Sequence, residues 1–229
     1  MVSAMRVAVL YSGGKDSNAA VALARAKGWK IVYLLSVKPS RKDCYLFHYA
    51  TAEHTALQAA ALGLPHHLLD CAVADPKAEA ELIKGFVAAH PVDLLLLGGT
   101  GLQGLQIRAL QEALAPLGTK VLAAHEEMDH AQLFLEMVKS GYEIIITQVA
   151  SDGLINWLGR TIDEKNFEEL RADASRFGFH IGGEGGYFDS FVLDCPLFAK
   201  RIALLDVQKV LEDRYNGHLV LRKLSLVDK

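Results

Sequence analysis

The chain of 229 residues has little of what marks several large functional classes. Its 24 basic and 27 acidic side chains leave a net charge of −3, so no basic field draws it to a nucleic-acid backbone. Its three cysteines, Cys44, Cys71 and Cys195, lie far apart with no CxxC pair. That pattern argues against a zinc ribbon and against a secreted disulfide framework. The first residues run directly into a short strand-like segment, too short for a signal peptide or a membrane span, so a reducing cytoplasm is the expected setting. No internal repeat and no low-complexity segment interrupts the chain. What it does have is apolar residues at 51%, enough for a sizeable core in one large domain or in one domain with a smaller appendage.

Those residues fall into alternating units. Apolar, strand-like runs occur at Arg6 to Tyr11, Lys30 to Ser36, His66 to Asp70, Asp93 to Gly98, Lys120 to Ala123 and Glu143 to Val149. Helical segments lie between them, at Ser17 to Lys27, Thr51 to Leu62, Asp75 to His90, Gln103 to Ala115 and Asp129 to Ser140. Lys38 to Tyr49 reads as a polar link. Strand and helix in alternation predict a mostly parallel sheet covered on both faces. After about Ala150 the pattern changes. A helix is expected over Ile162 to Phe177, then a glycine-rich stretch, a strand-like FVLD, and a tail that alternates on both sides of Asn216-Gly217 and predicts a β-hairpin turning there. The fold class expected is α/β, with a domain over 1–150 and a smaller α+β domain over 151–229.

Between the first strand and the first helix stands SGGKDS. Ligands of open α/β sheets bind at the carboxyl ends of strands, and helix N-termini attract anions. Gly13 and Gly14 let the backbone come close to a phosphate, Ser12 and Ser17 add hydroxyls, and Lys15 adds a cation beside Asp16. The stretch reads as a phosphate cradle. It is not the P-loop, which needs a leading glycine separated by four residues from its GK pair, and the dinucleotide fingerprint GxGxxG is absent from it. Farther on, Glu184 and Asp189 flank Gly185 and Gly186 in GEGGYFDSFVLDCPLF. Carboxylates on so pliable a backbone suit a cationic group, ammonia or Mg²⁺ near phosphates, or simply a hairpin turn with solvated acids.

SGGKDS resembles the PP-loop, SGGxDS, of the N-type ATP pyrophosphatases, which cleave ATP between the α and β phosphates. Together with the 183–198 stretch it resembles the diphthine–ammonia ligase (diphthamide synthase) family. That family pairs the loop with a motif close to GEGGE, an aromatic residue, then ETFVLDxPLF. YLFHYATAEHTALQAAALGLP and GLINWLGRTID resemble further segments of the same family, so the likeness runs from about Val7 to Ile202. It implies a HUP-type Rossmann-like parallel sheet with a smaller C-terminal α+β domain. It implies an ATP-dependent amide ligase using Mg²⁺, with ammonia as nitrogen donor and diphthine on elongation factor 2 as acceptor. No glutaminase segment is visible, no nucleic acid or membrane is called for, and a homodimer is left open.

Residue by residue, the likeness implies ATP on Ser12, Gly13, Gly14, Lys15, Asp16 and Ser17, with Val37 near the adenine. Lys15, Glu184 and Asp189 carry the chemistry. His48, Gln106, Arg160, Gly185, Gly186 and Ser190 join Glu184 and Asp189 on the acceptor side. The ligands of any metal are not specified. The chain departs from the family where Tyr187 replaces an acid, and where GGTGLQGLQIRALQ keeps Gln106 but puts Leu105 and Ile107 around it. Two other readings stand beside it: a PP-loop enzyme acting on transfer RNA, which would call for a basic surface that the overall charge does not suggest, and a non-catalytic ATP- or AMP-binding protein, which the altered acceptor positions favour. His66 and His67 read as a strand-end coincidence, and Glu126 to His130 (EEMDH) as a loop entering a helix.

Overall fold

In the computed structural model, residues 4–39, 51–72, 75–99, 104–124 and 129–229 are described. The first half alternates as β1 (Arg6–Leu10), α1 (Lys15–Ala26), β2 (Lys30–Pro39), α2 (Thr55–Leu62), β3 (His66–Cys71), α3 (Pro76–Ala89), β4 (Leu94–Leu97), α4 (Gly104–Leu114) and β5 (Lys120–Ala123). The strands form one parallel sheet in the order β3-β2-β1-β4-β5. VAVL and LLLL, apolar at every position, occupy the neighbouring strands β1 and β4, where both faces are covered. Alternating β3 and β5 take the two edges.

Helices cover the sheet according to their composition. Alanines 19, 20 and 24 of α1 are small enough to bring its axis close to the strands. Asp75 caps α3 by accepting from the amides of Lys77 and Ala78, and Pro76 fills the first turn where no amide is needed. One face of the sheet, through Ala8, Leu35, Leu95 and Leu97, packs on Ile83 and Leu110 of α3 and α4. The other face, through Val7, Val9, Leu94 and Leu96, packs on α1 and α2 in a core that continues into the second half of the chain.

That half comprises α5 (His130–Lys139), β6 (Glu143–Ala150), β7 (Thr161–Ile162), α6 (Phe167–Phe177), β8 (Phe188–Asp194), β9 (Arg201–Leu211) and β10 (Asn216–Val227). It has a second sheet, entirely antiparallel, ordered β7-β6-β10-β9 with β8 on β6. The expected α/β architecture with a Rossmann-like sheet and a second unit is therefore what the chain adopts. Among the described residues no helix is long and apolar enough to cross a membrane.

Three expectations change. The strand at Glu143 to Val149 does not extend the parallel sheet; it is a central strand of the antiparallel one, pairing with β7, β8 and β10. The helix expected from Ile162 starts only at Phe167. Ile162 pairs with Ile144, and Asp163 and Asn166 then close a turn on each other's backbone amides. The β9–β10 hairpin turns at 212–215, where Asp213 accepts from the amides of Tyr215 and Asn216. Asn216 and Gly217 are already in β10. A Cβ on Gly217 would meet the Val210 carbonyl at 2.9 Å, so close packing and not a turn selects that glycine.

Gly153, in the turn leaving β6, has φ +76, and a Cβ there would lie 2.2 Å from Phe177 Cδ2. Left-handed strain and overpacking act together, so Gly153→Ala should destabilise the protein by about 2–4 kcal/mol. Circular-dichroism melting should show a drop on the order of 10 °C. An unchanged melting temperature would mean that Phe177 is not held where it packs.

Candidate active site

The stretch 11–18 explains itself once β1 and α1 are fixed. Gly13 has φ +82, and Gly14 is the extended N-cap of α1 with no side-chain cap bond of its own. Neighbouring side chains supply what the cap lacks. The Gly13 amide donates to Ser17 Oγ at 3.1 Å, and that hydroxyl donates to the Gly14 carbonyl at 3.0 Å. Asn18 Nδ2 donates to the carbonyls of Gly13 and Gly14, and the Tyr11 hydroxyl donates to Asn18 Oδ1 at 2.9 Å. Burial raises the Tyr11 hydroxyl pKa well above its ordinary value, against the lowering effect of Asn18, which keeps the group a donor. At the end of β4, a Cβ on Gly98 would lie 2.6 Å from the Ser17 amide nitrogen, so only glycine admits the start of α1 there.

The C-terminal motif closes on this loop. The Lys15 amide donates to Ser190 Oγ at 3.2 Å, bridging 175 positions of sequence. The Val192 amide donates to the Gly13 carbonyl at 3.1 Å. Gln58 of α2, fully buried, donates through Nε2 to the carbonyls of both Gly13 and Val192 at 2.8 Å. Phe191 lies under the loop with no solvent exposure. A strand of the second sheet is thus bonded directly to the turn of the first.

Charged groups gather beside the junction. Lys15 is buried, its ammonium 2.7 Å from Asp16 Oδ2 and 5.8 Å from the centre of the Phe134 ring. His130, the first residue of α5 after the Asp129 cap, has Nδ1 3.1 Å from Glu184 Oε1. Asp16, His130 and Glu184 each present a donor atom within 4.8 Å of the other two. Gly99 borders them, and a Cβ there would sit 3.3 Å from Glu184 Oε1 and 3.7 Å from Asp16 Cγ. The positive end of α1 and the Lys15 ammonium suit an anion, and the carboxylates a cation, at one place.

Of the residues singled out in the sequence, Ser12 to Ser17, Glu184 and Ser190 come together. Gly185 and Gly186, with φ +95 and +81, form the turn that carries Glu184 into β8. Asp189 pairs with Gln148 across to β6. Val37 is buried near the end of β2. Gln106 is buried in α4 with Nε2 3.5 Å from Glu79 Oε2. Arg160 grips Glu169 through both guanidinium nitrogens at 2.8 and 2.9 Å and stacks on Trp157 at 3.9 Å. His48 lies outside the described residues.

Three participants were not anticipated. Gln58 looked like any polar position of a helix. His130 was visible only as part of a loop entry, although the turn after a strand of an open sheet lands at the ligand end. His66 has Nε2 2.9 Å from Ser36 Oγ and 3.0 Å from Thr55 Oγ1. Those hydroxyls donate to the carbonyls of Tyr11 and Ala52, so Nε2 is assigned as the donor to both. Burial lowers the His66 pKa, with His67 adding to the effect, and the neutral ring ties β2 and β3 to α2.

Two family descriptions match the chain: diphthamide synthase N-terminal domain over residues 5–110 and diphthamide synthase C-terminal domain over residues 129–227. Full-length relatives agree. The diphthine–ammonia ligase of Homo sapiens is 32% identical, covering 97% of this chain and 92% of its own length. That of Danio rerio is 30% identical and covers 98% of both chains, and that of Mus musculus is 30% identical over 98% of this chain and 94% of its own. With the loop and the GEGG motif meeting at one junction, the chain belongs to the diphthine–ammonia ligase (diphthamide synthase) family of enzymes.

Proposed function

We propose that the protein amidates a carboxylate with ammonia, consuming ATP and releasing AMP and pyrophosphate, and that the acceptor is diphthine on elongation factor 2 in the cytoplasm. The observation that carries this reading is the contact of the two motifs: the Lys15 amide bonded to Ser190 Oγ, with Glu184 beside Asp16. A phosphate-binding turn and an acceptor-binding strand that share hydrogen bonds can act on one reacting group. Val37, near the carboxyl end of β2, is proposed to border the adenine.

The chemistry balances in two steps. A carboxylate oxygen of the acceptor attacks the α-phosphorus, the bond from that phosphorus to the bridging oxygen breaks, and pyrophosphate leaves. The positive end of α1 and the Lys15 ammonium stabilise the charge on the departing group. Ammonia then attacks the acyl carbon of the adenylate, the bond to AMP breaks, and the nitrogen loses a proton to solvent. Activation is required because a carboxylate is a poor electrophile, and splitting the reaction lowers each barrier. A divalent ion, Mg²⁺ by expectation, supplies further positive charge to the phosphates when bound. Asp16 and Glu184 are oxygen donors that would hold it, and the absence of a Cβ at Gly99 leaves space beside them.

A non-catalytic ATP- or AMP-binding role is the second reading, and Tyr187 in place of an acid favours it. Purified protein given ATP, a divalent ion, ammonium and diphthine-bearing elongation factor 2 should produce AMP and pyrophosphate together with the mass shift of an amide. AMP without the mass shift would discard the acceptor; binding without AMP would favour the second reading; ADP would overturn α–β cleavage.

Two variants separate the halves of the site. At Gly14 a Cβ would lie 3.1 Å from the Ser190 carbonyl, so Gly14→Asp adds both bulk and negative charge to the cradle. Its affinity for ATP should fall at least about a hundredfold, a loss of about 3 kcal/mol, by equilibrium dialysis. Unchanged affinity would place the phosphates elsewhere. Glu184→Ala should keep its affinity for AMP measured without divalent ions and lose nearly all amide formation. Normal turnover in that variant would make the 184–190 turn structural.

A further inference from the structure

We propose that Asp16, His130 and Glu184 form a site for a first-row divalent transition ion, with Mn²⁺, Co²⁺ or Zn²⁺ preferred over Mg²⁺. The inference deepens the reading above and rests on it only for the cation's place beside the loop.

Donor chemistry carries the argument. Mg²⁺ takes oxygen almost exclusively and keeps much of its water, whereas an imidazole nitrogen suits the later first-row ions. Two carboxylates and one imidazole make a mixed set that Mn²⁺, Co²⁺ and Zn²⁺ accept readily. Geometry supports it. With ligand bonds of about 2.1 Å, adjacent donors around an octahedral ion stand about 3.0 Å apart. His130 Nδ1 and Glu184 Oε1 are already 3.1 Å apart, and no pair in the set exceeds 4.8 Å. Ordinary side-chain adjustment of less than about 2 Å completes the set.

The scaffold holds these groups in place. Asp16 is fixed at the start of α1, His130 at the start of α5 behind the Asp129 cap, and Glu184 on a turn whose glycines adopt positive φ. A Cβ on Gly182 would come within 3.1 Å of His130 Cβ, so glycine lets the 180–184 turn lie against α5. The His180 ring meets that of His130 edge-on at 6.4 Å, and its Nδ1 accepts from the Gly182 amide. The donor atoms that lie within 4.8 Å of one another are those of Asp16, His130 and Glu184, with His180 beside them. Asp16 is paired with the Lys15 ammonium at 2.7 Å, and Glu184 adds a second carboxylate to the set, so a divalent ion among the three donors meets two anionic oxygen ligands.

The test uses untagged full-length protein, stripped with a chelator and free of nucleotide. Mn²⁺ is titrated while the electron paramagnetic resonance signal of the free aquo ion is followed, and Mg²⁺ is added in competition. Expected are saturable binding at least about tenfold tighter than that of Mg²⁺, and nitrogen modulation of the bound ion's spin echo from one imidazole. In His130→Ala the modulation should vanish and Mn²⁺ affinity should fall by at least about tenfold, the lower end of what losing even an outer partner costs. Equal affinities for Mn²⁺ and Mg²⁺, an echo without nitrogen modulation, or modulation that persists in His130→Ala would each overturn the proposal. The wild-type echo decides the matter even if the variant folds poorly. Equilibrium dialysis of ATP on the same protein, with saturating Mg²⁺ restored, keeps the two readings apart. Mn²⁺ selectivity without ATP binding sinks the ligase reading and leaves the metal site standing. ATP binding without Mn²⁺ selectivity does the reverse.

Discussion

The carbonyl of Gly13 is the hinge of this structure. It accepts from Val192 of β8, from Gln58 of α2 and from Asn18 of α1, so three elements distant in sequence meet on one oxygen. Gly13 must be glycine on two counts. Its φ of +82 is one that L side chains rarely adopt, and a Cβ there would lie 2.4 Å from Gln58 Oε1 and 3.1 Å from Phe191 Cε2. Each buried hydrogen bond contributes only about 1 kcal/mol net, but leaving such a group unpaired costs about 1–3 kcal/mol. The loop therefore keeps its shape only while β8 and α2 are in place, and the 12–17 turn is assembled by the second half of the chain as much as by the first.

A shared core makes that dependence mechanical. The face of the parallel sheet that packs on α1 and α2 is continuous with Ile144, Ile146, Trp157, Phe167 and Phe191 of the second half. Close-packed interiors transmit displacement instead of absorbing it. A shift of β8 on acceptor binding would reach Gly13 through Val192 and Lys15 through Ser190 without crossing solvent. Under the proposed reaction, whose first step needs both groups in line, these contacts would couple acceptor binding to phosphate binding.

Much of this was legible in the residues. Uninterrupted apolar runs marked β1 and β4 because strands covered on both faces need no alternation, and SGGKDS declared itself by lying between a strand and an alanine-rich helix. What periodicity does not carry is the identity of a strand's partners. Glu143 to Ala150 reads identically whether its neighbours are parallel or antiparallel, so its place in the second sheet emerged only from pairing. Asn216-Gly217 has the composition of a tight turn, yet Asp213 makes a better one earlier in the chain, and Gly217 answers to crowding by Val210 and Leu158. In the site, Glu184 stood out by its glycines. His130 and Gln58 did not, because their importance lies in what the fold brings beside them. Arg160 shows the converse: a conspicuous WLGR segment whose arginine is engaged with Glu169 and Trp157.

The central claim is that one site holds the leaving pyrophosphate and the attacking carboxylate together. Exchange of radiolabelled pyrophosphate into ATP tests it most directly, in the absence of ammonia, with and without diphthine-bearing elongation factor 2. The account predicts that label enters ATP only when the acceptor is present, because reversal of adenylation needs both groups in place. Exchange that ignores the acceptor, or no exchange while the acceptor is amidated on adding ammonia, would contradict it.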